Sequence, residues 1–216
     1  MSTEKNVGHP CPIGLKKLKD GNAQHVKSIE EQSGRKIEEI GVTESGQRPY
    51  AAILSCADSR VIPESIFSAK EGELFVVRVA GNIANTSSIA SLEYAVAVLN
   101  VRIIVVLGHE SCGAVKAAID QAQKRINFGT NLNQLLAHIV PAINGTEPNE
   151  PVNDPKQATI NNARLTAEQL VEQSEILRGF FESGHLGIFN GYYNIYGAHP
   201  GKVDNIDSWN CPKPVV

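Results

Sequence analysis

The sequence predicts an α/β fold: a mostly parallel central β-sheet flanked by helices, with an N-terminal helical arm. Short continuous apolar runs at residues 50–56, 73–78 and 102–108 read as strands buried on both faces. Segments with helical spacing lie between and after them, so strand and helix alternate through the middle of the chain, which is the pattern of a parallel sheet. No linker composition or internal repeat interrupts the 216 residues, a length suited to a single domain spanning 1–216.

Residues 11–32 read as the helical arm, with Leu15, Leu18 and Val26 as a partial apolar stripe among charged and amide side chains. Residues 34–48 are polar and read as a surface connection, with a short turn at 37–40. The run Tyr50-Ala-Ala-Ile-Leu-Ser-Cys56 is the first strand and residues 73–78 the second. Residues 87–99 form a helix with Ile89, Leu92, Ala95, Val96 and Leu99 on one side, capped by Ser87 or Ser88. Residues 102–108 are the third strand, and 112–124 and 131–143 are helices. Residues 144–155 carry three prolines and a glycine and read as a loop. A long helix follows over 156–181, with Ile160, Ala163, Leu170, Ile176 and Leu177 facing inward. An aromatic-rich strand covers 185–196, and the tail at 202–216 reads as a loose arm.

Composition narrows the function classes. Formal net charge is -3 with 20% charged residues. That gives no basic surplus for a nucleic-acid backbone. No apolar stretch reaches the roughly 20 residues a membrane helix needs. The first residues have neither an apolar signal core nor an Arg-rich transit pattern, so a cytoplasmic protein is expected. There are four cysteines, too few in a chain of this length for a disulfide-built mini-domain. Cys11 and Cys211 are expected as free thiols near the two ends, with a link between the two arms as the alternative in an oxidising setting. His25, His138, His185 and His199 are expected at the surface.

Three metal-competent side chains fall at related places. Cys56 ends the first strand, His109 follows the third strand, and Cys112 opens the next helix. Ligands of open parallel sheets gather beyond the carboxyl ends of strands. If those two strands are neighbours, two thiols and an imidazole converge, a set suited to tetrahedral zinc with one position open. A helix N-terminus beside Cys112 favours its thiolate. Packed cysteines and a hydrogen-bonded histidine would present the same residues. Asp58 and Arg60 follow Cys56 closely. The cation keeps the carboxylate ionised, and a clamp of this kind keeps Asp58 away from a metal; an exposed turn ion pair would present the same residues.

Four strings, Leu54-Ser-Cys-Ala-Asp-Ser-Arg-Val61, Gly72-Glu-Leu-Phe-Val-Val-Arg-Val-Ala-Gly-Asn82, Ser91-Leu-Glu-Tyr-Ala-Val96 and Val106-Leu-Gly-His-Glu-Ser-Cys-Gly-Ala-Val115, resemble the β-class carbonic anhydrases. The similarity runs from the Leu15 to Asn22 region to about Val203. It implies a zinc enzyme that reversibly hydrates CO2 to bicarbonate and a proton, by attack of zinc-bound hydroxide. It implies Cys56, His109 and Cys112 as Zn2+ ligands and Asp58 and Arg60 as the catalytic dyad. It further implies Gln47, Phe75, Ala80, Tyr94 and Gly113 as substrate-binding residues, in a pocket completed partly by a neighbouring subunit. The resemblance implies a homodimer or dimer of dimers, with the N-terminal helix wrapping the partner.

One departure matters. Some members carry a second bicarbonate site built on a Trp, an Arg and a Tyr. Arg78 matches the Arg, and Tyr192 or Tyr193 the Tyr, but the Trp position is Ile53, so that regulatory site is not expected. The alternatives are a hydrolase of carbonyl sulfide or carbon disulfide on the same scaffold, and a non-catalytic zinc-binding scaffold protein. A thiol redox protein is disfavoured, because no Cys-x-x-Cys is present.

Overall fold

A computed structural model describes residues 9–31, 46–143 and 154–212. The expected connection at 34–48 and the loop at 144–155 lie mostly outside the described residues. The elements are α1 (Cys11–Glu30), β1 (Ala51–Ser55), α2 (Pro63–Ile66), β2 (Leu74–Arg78), α3 (Thr86–Ala97), β3 (Ile103–His109), α4 (Gly113–Lys124), α5 (Thr130–Ala137), α6 (Val140–Ile143), α7 (Pro155–Gln173), α8 (Glu175–Glu182), β4 (Gly187–Tyr193) and β5 (Val203–Asp204).

The sheet runs β2-β1-β3-β4-β5. Its first four strands are parallel and β5 is antiparallel to β4. Every residue of β1 and β3 is buried, which is why both read as unbroken apolar runs rather than alternating ones. The pleat then splits their side chains. Ala51, Ile53, Ile103 and Val105 join one core with Leu15, Leu18 and Phe67. Ala52, Leu54, Ile104 and Val106 join the other with Leu92, Val96, Ala163 and Leu170. A third cluster, from Cys56 and Cys112 to Val115, Leu136 and Ile139, lies beyond the carboxyl ends of β1 and β3. Chain order places β2 on one side of β1 and β3 on the other, so the crevice at the end of β1 is a topological switch point.

α1 packs on its own subunit's core. A Cβ at Gly21 would lie 1.8 Å from the Phe67 carbonyl oxygen, so only glycine allows that approach. Next to it, Asn22 Nδ2 donates to the carbonyls of Ile66 (3.2 Å) and Gly201 (2.8 Å), and Oδ1 accepts from the Val203 N–H (3.1 Å). One buried amide thereby joins the first helix to the end of the chain.

Several expectations are corrected. The tail is no loose arm: β5 pairs with β4, and Ile206 and Trp209 are buried. Trp209 stacks on Phe189 at 5.5 Å and donates its indole N–H to the Asn190 carbonyl. Cys11 and Cys211 are not free thiols; they form a disulfide with Cα atoms 5.9 Å apart. His25 is buried, its Nε2 3.2 Å from the Tyr193 hydroxyl, because the tail covers α1. The long helix breaks at Ser174, which turns extended, accepts from the Leu177 N–H and donates to Glu93 Oε1 at 2.6 Å. Ile176, expected inward, is therefore 43% exposed on α8. The helix over 131–143 is likewise two, since Pro141 has no N–H for the carbonyl of Ala137. Finally, Asn85 caps α3, with Ser88 returning the bond as its third residue. Among the described residues no helix is long and apolar enough to cross a membrane.

Candidate metal centre

Parallel pairing sets Leu54 beside Val106 and Ser55 beside Leu107. The next residues on both strands emerge together at the carboxyl edge. The ligand atoms of Cys56, His109 and Cys112 consequently lie within 4.8 Å of one another, and the two sulfurs are 4.0 Å apart. All three residues are buried.

The histidine is the most telling of the three. Its Nδ1 lies 2.9 Å from the Glu110 carbonyl oxygen. Protonated there, Nδ1 donates to that carbonyl and leaves Nε2 with a free lone pair, the second bond that metal-binding histidines make. Among the described residues Nε2 is buried with no hydrogen-bond partner. A buried, unpaired ring nitrogen is costly. Directed at two thiols, it fits a cation. Three soft and borderline donors suit Zn2+ and leave a fourth position open.

The two thiols are driven in opposite directions. Cys56 is pulled down, first by the hydrogen bond from Cys112, then by the N–H groups of Gly81 and Asp58, against burial. Cys112 is pushed up by its bond to Cys56 and by burial. Cys112 holds the N-cap position of α4, where the N–H groups of Val115 and Ala114 pull it down against the larger push from Cys56. A divalent cation between them would reverse this and hold both as thiolates.

Beside this group stands a fixed ion pair. Arg60 donates from its backbone N–H (3.0 Å) and Nε (2.9 Å) to Asp58 Oδ1, and from Nη2 (2.7 Å) to Oδ2. Arg78 secures the same loop, donating from Nη2 to the Asp58 carbonyl (2.6 Å) and from Nε to that of Cys56 (3.3 Å). The turn Ala80–Asn82 closes from the β2 side: the Gly81 N–H donates to Cys56 Sγ at 3.4 Å, while its carbonyl accepts from Asn162 Nδ2 of α7 at 2.8 Å. Gly81 takes φ 73°, the left-handed region where glycine is at no disadvantage.

Of the other expected site residues, Phe75 on β2 and Tyr94 on α3 have ring centroids 6.2 Å apart. Phe75 is half-buried and Tyr94 is 47% exposed. Ala80 is half-buried in the turn beside Cys56, and Gly113 is exposed at the first position of α4. Gln47 is exposed ahead of β1. Sequence reasoning missed Gly81, Asn162, Glu110 and Tyr196. Glu110 had a signal, its place between two ligands; Asn162 and Tyr196 had none.

A family model described as carbonic anhydrase matches residues 51–200. Carbonic anhydrase 2 of Mycobacterium tuberculosis is 40% identical over 128 residues, covering 59% of this chain and 62% of the relative. The carbonic anhydrase of Mycolicibacterium smegmatis is 41% identical over 131 residues, with the same coverages of 59% and 62%. The chain thus matches under two thirds of the length of these relatives. The carbonic anhydrase of Pseudomonas aeruginosa is 35% identical over 176 residues, 74% of each chain. Among solved structures, a tetrameric β-carbonic anhydrase of Sordaria macrospora superposes with TM-score 0.61 at 26% identity, over 74% of this chain and 81% of that one. The β-carbonic anhydrase CcaA superposes with TM-score 0.60 at 26% identity, over 88% and 90%.

Proposed function

Because the chain belongs to the β-carbonic anhydrase family, we propose that it reversibly hydrates CO2 to bicarbonate and a proton, using one Zn2+ held by Cys56, His109 and Cys112. The observation that carries the reading is the convergence of three ligand atoms within 4.8 Å, beside the Asp58–Arg60 pair. Bound there, Zn2+ supplies the Lewis acidity that makes water a nucleophile near neutral pH.

The protein's own groups orient the reaction. A carboxylate offers about four lone-pair sites. Arg60 occupies two on Asp58 Oδ1 and one on Oδ2. The remaining site on Oδ2 accepts the nucleophile's O–H and so directs an oxygen lone pair at the carbon. Asp58 serves as acceptor and not as base, since Arg60 holds its carboxyl well below the usual carboxylate range and so leaves it little affinity for a proton. Phe75, Ala80 and Tyr94 form apolar walls for an uncharged substrate. Gln47 and the N–H of Gly113, one of the unpaired first donors of α4, serve the substrate oxygens.

With Tyr94 47% exposed in one chain, the pocket is completed by a second copy. A homodimer or dimer of dimers is the assembly proposed, in line with the tetrameric Sordaria relative. The deciding experiment is stopped-flow CO2 hydration against pH on zinc-quantified protein. Turnover proportional to zinc and rising through one ionisation near neutral pH is expected. Fully loaded protein with no hydration above buffer rejects the activity.

A further inference from the structure

We infer that Tyr196, held by the carboxylate of Glu110, is a positioning residue that fixes Arg60, and through it Asp58, for the reaction. The inference rests on the carbonic anhydrase reading and adds to it two residues outside the metal ligands and the dyad.

Arg60 should be hard to hold. Its side chain is 35% exposed and that of Asp58 19%. Ion pairs this open to water are weak, and a free arginine samples many rotamers. Asp58 engages Nε and Nη2 of the side chain, which leaves Nη1 without a partner within the pair. Tyr196 supplies what is missing. Its hydroxyl accepts from Nη1 at 3.3 Å, and its ring centre lies 5.9 Å from Cζ, within cation–π range. The Ser111 carbonyl accepts from Nη2 at 3.3 Å. The guanidinium is then bonded at Nε, Nη1 and Nη2.

Tyr196 is itself 55% exposed, three residues beyond the last pair of β4, and should be mobile too. Glu110 prevents that. Its Oε2 accepts the backbone N–H of Ile195 at 3.0 Å and of Tyr196 at 2.7 Å. Two N–H groups on one carboxylate oxygen make a clamp that fixes this stretch of backbone. The Glu110 N–H donates to the Tyr193 carbonyl at 2.9 Å, so its side chain continues the strand contact that the ladder has just ended. The Glu110 carbonyl meanwhile receives Nδ1 of His109 at 2.9 Å. One residue therefore orients a metal ligand with its main chain and the loop behind the dyad with its side chain.

The test compares Tyr196→Phe, Tyr196→Leu, Glu110→Gln and Glu110→Ala with the zinc-quantified parent. Readouts are kcat and KM for CO2 across pH, and the NMR signal of the Arg60 Nε–H. Losing one weak hydrogen bond and one exposed cation–π contact should lower kcat in Tyr196→Leu about three- to tenfold. KM and zinc content should stay unchanged, and the Arg60 Nε–H signal should shift or broaden. Tyr196→Phe should fall between, and Glu110→Gln, whose amide oxygen still accepts, should recover part of what Glu110→Ala loses. Wild-type kcat with an unaltered Arg60 signal in Tyr196→Leu overturns the inference, as does a kcat that falls only in step with zinc. Should Glu110→Ala not fold, the two Tyr196 variants decide. If the zinc-loaded parent hydrates no CO2, the proposed function fails, while the Arg60 signal still decides the positioning.

Discussion

Arg60 grips Asp58 with three donors, two on Oδ1 and one on Oδ2, so the carboxylate is held by its own loop two residues away. Asp58→Asn tests what the remaining acceptor does. An amide in that place can present an N–H where an acceptor is required. The variant should keep zinc, because Asp58 is not among the converging ligands, and should lose hydration about a hundredfold. Zinc analysis beside stopped-flow assay checks both parts. Near-normal turnover removes the pair from the mechanism.

The same grip sets a pH dependence of stability. The Arg60 side chain first, then its backbone N–H, holds the Asp58 carboxyl well below the usual carboxylate range, against the burial that raises it. A depressed value stabilises the fold at every pH above about 4, the ordinary aspartate value, and that contribution fades as pH drops below it. With both side chains partly exposed the gain is at most about 1 kcal/mol. Denaturant unfolding of the wild type and Asp58→Asn should differ by that amount at pH 7, and the gap should narrow steadily as pH falls below about 4. A gap that widens on acidification contradicts the assignment.

His109→Ala and Cys56→Ser should each lose zinc and hydration together. Two remaining donors do not make the three-ligand set of a catalytic site. His109→Ala removes the unpaired buried Nε2 but also the Nδ1 bond to the Glu110 carbonyl and the packing of a fully buried ring, so the metal-free form should unfold more readily than metal-free wild type. Metal content by mass spectrometry and thermal unfolding in chelator provide the two readings. Retained stoichiometric zinc in either variant would place the ion elsewhere.

The parts legible in the sequence were those written locally. β1 and β3 are unbroken apolar runs, and the three ligands sit at their ends by simple spacing. What could not be read depended on distant partners. Ser174 looked like one more polar helix residue until Glu93, 81 positions away, took its hydroxyl. Tyr196 looked like strand, and the residue that pulls its backbone off the ladder, Glu110, is 86 positions away. Cys11 and Cys211 meet across a separation of 200, which no local pattern encodes.

That disulfide should matter for stability. It ties the start of α1 to the tail that covers it, where Trp209 and Ile206 are buried. Closing so long a loop constrains the unfolded chain strongly, and native bonds of this kind contribute about 2–4 kcal/mol. Reduction, or Cys11→Ser with Cys211→Ser, should lower unfolding stability by that amount, and the double variant should no longer respond to reductant. Identical unfolding midpoints with and without reductant in the wild type show that the bond carries no stability.

Gly108 links packing to the metal centre. A Cβ there would meet Thr159 Cγ2 at 2.9 Å, the Thr159 carbonyl oxygen at 3.2 Å and Ala163 Cβ at 3.5 Å. Thr159 cannot turn away freely, because its hydroxyl donates to the Pro155 carbonyl at 2.8 Å. Either α7 lifts or the end of β3 shifts, and the residue that shifts next is His109. Overpacking of this sort costs about 1–3 kcal/mol. Gly108→Ala should therefore lower the unfolding midpoint and also speed zinc loss to a chelator, since Nε2 must stay directed at two sulfurs 4.0 Å apart. Gly179→Ala on α8 is the control, because a Cβ there meets nothing within 4 Å. Equal chelator rates in the two variants would mean that the clearance under α7 does not set the place of His109.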